Sequence, residues 1–240
     1  MIGFIGGSGF ENFLEEKSVE ILDITTEWGK PSQAIRKITL GDQEFLFLQR
    51  HGDGKILPHK INYRANIKAF HDLGARKILA SAAVGGITIK AGTVVIPDQI
   101  IDYTYNRPQT FFEHMKTVKH IEFSEPYNHD LRFKLLKACE DLEIKVKNKG
   151  VHGITQGPRL ETSAEIRRLK NDGCDIVGMT GMPETCLAAE LEIEYACIAH
   201  VVNPAAGTSG KSISIKNMES EIKEGAYNSL KILTQFLSNE

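Results

Sequence analysis

Nowhere do the 240 residues approach the roughly 20 consecutive apolar positions that a bilayer-crossing helix needs. The start of the chain lacks a basic segment followed by an apolar run and leads straight into strand-like Ile2-Gly3-Phe4-Ile5. No signal peptide is therefore expected, and the chain reads as cytoplasmic. Basic excess is missing as well: the formal net charge is −2, with both signs mixed along the chain. That removes the footprint which nucleic-acid and anionic-membrane partners usually leave. The four cysteines (Cys139, Cys174, Cys186, Cys197) are widely spaced and form no C-x-x-C pair. They read as reduced thiols rather than a disulfide framework or a zinc site. No repeat, low-complexity run or Pro/Gly/Ser linker marks a domain boundary, and no metal-ligand cluster is visible.

What is present is an alternation of strand and helix patterns. Ile35–Leu40 and Glu44–Leu48 flank the turn signal Gly41-Asp42 and predict a hairpin. Apolar spacing predicts a helix from Ile61 to Leu73 ending at Gly74, with short strands at Lys77–Ala80 and Val94–Ile96. Farther on, Asp130–Leu142, Thr162–Lys170, Glu184–Leu191 and Lys216–Leu237 read as helices. Gly150–Thr155, Asp175–Val177 and Tyr195–Val202 read as strands between them. The pattern implies an α/β fold with a mixed or parallel sheet covered on both faces. Ligands in such folds gather where strands end in loops.

Three strand ends carry small or anion-seeking residues. Gly6-Gly7-Ser8-Gly9 allows close backbone approach to an anion and adds a hydroxyl, although an ordinary tight turn explains it equally well. It has neither dinucleotide-turn spacing nor the lysine of a P-loop, which argues against a Rossmann dehydrogenase. Arg50-His51-Gly52 brings a planar cation and a titratable donor, although a solvated pair at a strand end is the commoner reading of an isolated Arg-His. Ser81–Gly86 is built of small residues that leave N–H groups accessible or equally serve close packing. Together they suggest an anion site more strongly than any one of them does.

Three later loops carry groups able to read a heterocycle or a sugar. Gln156–Thr162 contains Glu161, for which the capping box Thr162/Glu165 supplies no structural role. An acid exposed near a helix N-terminus is the alternative reading of Glu161. Gly178–Glu184 offers Met179 and Thr180 before Pro183, which suits a first helical turn. Asn203-Pro204-Ala205-Ala206-Gly207 offers an amide that both donates and accepts, or simply a turn.

In this order the segments resemble the trimeric purine nucleoside phosphorylase and methylthioadenosine phosphorylase family. The matching pieces are Ile5–Phe10, Arg50–Gly52, Ile61–Asn66, Ala82–Ile87, Gly157–Thr162, Met179–Glu184 and Val202–Gly207, nearly the whole chain. The resemblance implies one nucleoside phosphorylase domain over residues 1–240, assembled as a homotrimer with sites shared between subunits. It implies phosphate contacts from Ser8, Arg50, His51 and Thr180 with backbone help at Ala82 and Ala83, and ribose packing by Met179. His120 would reach the sugar's 5′ side in a neighbouring subunit, and Pro204 and Ala205 would flank the base. Inorganic phosphate is the co-substrate, and no cofactor is implied. Catalysis would rest on His51, Glu161 and Asn203, by positioning and charge stabilisation.

Within the family a glutamate and an asparagine read 6-oxopurines, and Glu161 and Asn203 stand at those positions. An ionised Glu161 would meet the N1 lone pair of adenine acceptor to acceptor, so the chain departs from the methylthioadenosine pattern. Nucleoside-type members present a histidine to the 5′-hydroxyl; here Met218 and Ile222 fall near that place, which favours a methylthio group. Helix core is an equal reading of Met218, since the Thr208–Ser214 loop leaves the register open. The pattern resembles the subgroup that cleaves S-methyl-5′-thioinosine. A general inosine/guanosine phosphorylase is the alternative, followed by a methylthioadenosine phosphorylase and a non-catalytic purine-binding protein.

Overall fold

The computed structural model describes residues 1–10, 19–40, 42–114, 116–210 and 215–240. Gly41 of the expected Gly41-Asp42 turn, and residues 211–214 of the loop before the final helix, lie outside that range. The described strands are β1 (Ile2–Gly6), β2 (Val19–Leu22), β3 (Ile35–Leu40), β4 (Gln43–Gln49), β5 (Lys77–Gly86) and β6 (Val94–Val95). After them come β7 (Gln99–Asp102), β8 (Val146–Lys147), β9 (Val151–Ile154), β10 (Ile176–Gly178) and β11 (Glu194–Pro204). The helices are α1 (Tyr63–Asp72), α2 (His129–Asp141), α3 (Ser163–Asn171), α4 (Glu184–Glu190) and α5 (Ile215–Ser238). No described helix is long and apolar enough to cross a membrane.

The strands form one mixed, largely parallel sheet around β5 and β11. Strand alternation puts successive side chains on opposite faces. Thus Ile78, Ala80, Ala82 and Val84 of β5, with Tyr195, Cys197, Ala199 and Val201 of β11, pack under α1 and α4. Leu79, Ala196 and Ile198 point the other way, toward α2 and α5. Both faces being covered explains why these strands read as unbroken apolar runs.

The expected hairpin forms from β3 and β4, antiparallel in the register Ile38↔Phe45. Thr162 and Glu165 complete the capping box at the start of α3, and Asn62 caps α1. Strand β5 continues six residues past the predicted Ala80, so Ser81–Gly86 is strand rather than its closing turn. This extension creates the site. Strand β1 pairs with β5 through Ala80, and antiparallel β10 pairs with Gly85 and Gly86 on the same edge. Between them the edge of β5 opens onto a cavity.

Two buried histidines, His152 and His200, stand on β9 and β11. Burial, aided by the charge of Arg50, pushes His152 down to about 3, and burial pushes His200 down to about 4. The unfolded chain protonates these rings near pH 6.5, the folded chain only well below it. Their contribution to stability is therefore complete above pH 6.5 and falls by about 1.4 kcal/mol per pH unit per histidine below it. The thermal midpoint is expected to drop steadily from pH 7 to pH 5, and His200→Gln should flatten that slope. A midpoint level across the interval would contradict the assignment.

Candidate active site

The loops after β1, β4, β9, β10 and β11 converge with the open edge of β5 on a cavity of about 240 Å³. Its wall includes Ser8, Arg50, His51, Ala82, Ala83 and Thr180, six residues from four separate chain segments. Gly7 is fixed by sterics, because a Cβ there would lie 2.7 Å from the carbonyl oxygen of Ser81 and 3.2 Å from Arg50 Nη1. Gly9 adopts φ +94° against the backbone of α5 at Ile222, a conformation and a closeness that suit glycine. The glycine turn is thus a close-approach loop seated on β5 and α5.

Arg50 is almost wholly buried. Its Nε and Nη2 donate to the two carboxylate oxygens of Glu184 at 2.9 and 2.8 Å, and Nη1 donates to the Ser81 carbonyl at 2.9 Å. Tyr195 donates its hydroxyl to the same carboxylate at 2.6 Å. Burial alone would loosen the guanidinium's proton, but the charge and hydrogen bonds of Glu184 outweigh it and hold Arg50 cationic. Of five guanidinium N–H groups, three are bonded among the described residues, which leaves one on each terminal nitrogen for a ligand. Beside it, His51 Nδ1 lies 2.8 Å from the Ile56 carbonyl, which can only accept. Nδ1 therefore carries a ring proton.

Glu161, Asn203 and Ala205 line the same cavity. Glu161 sits in the strand-to-helix loop before Thr162 with its Oε1 accepting from Thr155 Oγ1 at 2.6 Å. Asn203 follows a register shift in β11 between Val201 and Asn203. Bulges of this kind re-aim side chains beside functional sites. Its Nδ2 donates to the Pro204 carbonyl at 2.7 Å, which leaves the amide a second N–H. Pro204 corrects the expectation: its side chain is exposed and is absent from the cavity wall, and only its carbonyl acts, through Asn203.

Met179, Met218 and Ile222 also line the cavity, Ile222 beside the glycine turn at Gly9. Met218 thus faces the cavity. His120 is exposed and outside this wall.

The model of the Phosphorylase superfamily matches residues 1–238. The chain belongs to that superfamily. It is 48% identical over 210 residues to a probable S-methyl-5′-thioinosine phosphorylase of Xylella fastidiosa, covering 86% of this chain and 89% of the relative. It is 44% identical over 222 residues to the 6-oxopurine nucleoside phosphorylase of Pyrococcus furiosus, covering 89% and 83%. The solved methylthioadenosine phosphorylase of Schistosoma mansoni in complex with adenine superposes with a TM-score of 0.92 at 30% identity, covering 99% and 90%.

Several residues that hold this phosphorylase site together carry no sequence signal. Glu184 reads as an ordinary first-turn acid after Pro183, yet it is fully buried as the partner of Arg50. Arg107 is buried too, and burial lowers its proton affinity. It donates to the carbonyls of Thr155, Gln156, Met179 and Met182 at 3.2, 2.8, 2.9 and 2.6 Å. One guanidinium thereby ties the loop of Glu161 to the loop of Met179 and Thr180.

Proposed function

We propose that the chain splits the N-glycosidic bond of a 6-oxopurine nucleoside with inorganic phosphate. The preferred substrate is S-methyl-5′-thioinosine, giving hypoxanthine and 5-methylthioribose 1-phosphate. The reading is carried by one observation: a single cavity is lined by the anion-seeking Ser8, Arg50, His51 and Thr180, by Glu161 and Asn203, and by the apolar Met218 and Ile222. The names of the Xylella and Pyrococcus relatives support both the reaction class and the 6-oxopurine base.

Phosphate sits against Ser8, Arg50, His51 and Thr180 and the N–H groups of the open β5 edge at Ala82 and Ala83. The bond from C1′ to the purine loosens first, its electron pair leaving with the base. The phosphate dianion stabilises the cationic sugar and forms the new bond at C1′ from the opposite face. Asn203 donates to N7, where the departing base gathers charge, and Glu161 accepts from N1–H. Such groups act by being preorganised for charge that develops in the transition state. No protein nucleophile and no cofactor enter the scheme.

Glu161 is also the reason for separating this chain from the methylthioadenosine phosphorylases whose fold it shares, because adenine offers no N1–H. Sites shared in a homotrimer fit the exposed His120, which serves a neighbouring subunit's sugar in this reading, and a cytoplasmic location fits the sequence. The Pyrococcus relative favours a second reading, a general inosine/guanosine phosphorylase. Phosphate-dependent release of hypoxanthine distinguishes them. kcat/KM for methylthioinosine is expected to exceed that for inosine about tenfold or more, the discrimination an apolar pocket achieves. A preference for inosine would select the second reading.

A further inference from the structure

Beside Glu161 lies a second cavity of about 190 Å³. Glu161 stands in the wall of both cavities, whereas Thr155 lines only the second. The Thr155 hydroxyl has one hydrogen and two acceptors in reach: Glu161 Oε1 at 2.6 Å and the Gly178 carbonyl at 3.3 Å. The shorter bond, to a charged oxygen, is the stronger. Thr155 is itself immobilised, its N–H donating to the Gly178 carbonyl at 2.8 Å and its own carbonyl accepting from Arg107. The carboxylate of Glu161 therefore bridges the wall, one oxygen drawn toward the second cavity.

We propose that Thr155 is a positioning residue that narrows specificity within the 6-oxopurines, favouring hypoxanthine over guanine. The inference rests on the reading that Glu161 accepts from the base. Guanine presents two adjacent donors, N1–H and the 2-amino group, and both are satisfied only when both carboxylate oxygens face the base side by side. Hypoxanthine presents N1–H alone. Oε1 keeps a second lone pair, but the bond from Thr155 fixes its direction and stops it turning in line with its partner, so one oxygen serves the base. The guanine amino group then gives up water without gaining an acceptor, and buried polar groups left unpaired are what discriminate most strongly between close substrates.

The test compares kcat/KM for inosine with guanosine, and for methylthioinosine with its 2-amino derivative, so that the sugar cancels within each pair. The wild-type enzyme is expected to favour the hypoxanthine member about tenfold or more. Thr155→Val, which keeps shape and removes the hydroxyl, should bring the ratio close to one, and Thr155→Ala gives the same readout in a smaller side chain. Thr155→Ser should keep the wild-type ratio. A purely structural role would lower both substrates of a pair together, leaving the ratio unchanged and overturning the proposal, as would equal use of both by the wild type. Glu161→Gln separates the two layers of the argument. If it abolishes the preference for inosine over adenosine while the Thr155→Val ratio stays fixed, only the role of Thr155 fails. If it leaves that preference intact, the reading of Glu161 fails and takes this inference with it.

Discussion

Replacing Glu184 with alanine is expected to damage phosphate capture and stability together. Its carboxylate takes two hydrogen bonds from Arg50 and one from Tyr195 in a region closed to solvent. Truncation leaves Arg50 as a buried cation without its counter-charge, and breaking a buried pair in this one-sided way costs about 3–5 kcal/mol. For a chain of this size the thermal midpoint should fall by about 10 °C or more. The loss also bears on phosphate. Arg50 is aimed by its bidentate bond to Glu184, and the two N–H groups left over are directed only while that bond exists. The KM for phosphate is expected to rise about tenfold or more, a loss of about 1.4 kcal/mol or more in binding, while the KM for nucleoside changes little. Glu184→Gln keeps the shape and one acceptor oxygen, so it should lie between alanine and wild type in both measurements. Thermal unfolding with phosphate saturation curves on both variants decides the matter. A midpoint and a phosphate KM both unchanged in Glu184→Ala would show that the pair neither holds the fold nor aims Arg50.

The same pair marks where sequence reasoning stops. Features set by local chemistry were legible: the β3–β4 hairpin, the Thr162/Glu165 capping box, the apolar runs of β5 and β11, and the small and polar residues at strand ends. Most of the candidate site residues meet in one cavity because strand ends in a parallel sheet converge, a property of the fold class. What depends on distant partners was not legible. Glu184 and Arg50 are 134 residues apart, and nothing near either one announces a buried ion pair. Strands β2, β7 and β8 are short; β2 and β7 carry polar or exposed positions, and β8 has only two residues, so each exists by pairing rather than by its own pattern. The run Ser81–Gly86 read as small residues closing a strand, either exposing N–H groups or serving close packing; it is itself strand because β11 pairs along its whole length. Pro204 was grouped with its neighbours by proximity in sequence, but alternation along β11 turns it out of the cavity.

Asn203 is where the loss of a single side chain should fall most heavily on the chemical step. Its proposed donor meets N7 of the purine, an atom that gathers negative charge only as the glycosidic bond opens. An interaction made mainly in the transition state lowers kcat when removed and leaves substrate affinity nearly intact. Asn203→Ala is therefore expected to reduce kcat by about 10²–10³, the range for removing one such donor, with a change of less than about threefold in nucleoside KM. The backbone gives the side chain its aim, since the register shift at Val201/Asn203 sets the residue against the cavity and the bond to the Pro204 carbonyl fixes the amide plane. Asn203→Asp separates donor from shape: the side chain keeps its size but presents an anion to a leaving group that is itself becoming negative. It should fall below Asn203→Ala with 6-oxopurine substrates at neutral pH and recover part of its activity as the pH is lowered and the carboxyl gains a proton to donate. Steady-state kinetics of both variants across pH 5 to 8, with phosphate saturating, provide the comparison. An Asn203→Ala enzyme that loses affinity while keeping kcat would move Asn203 from the departing base to ground-state binding, and N7 would then need another donor.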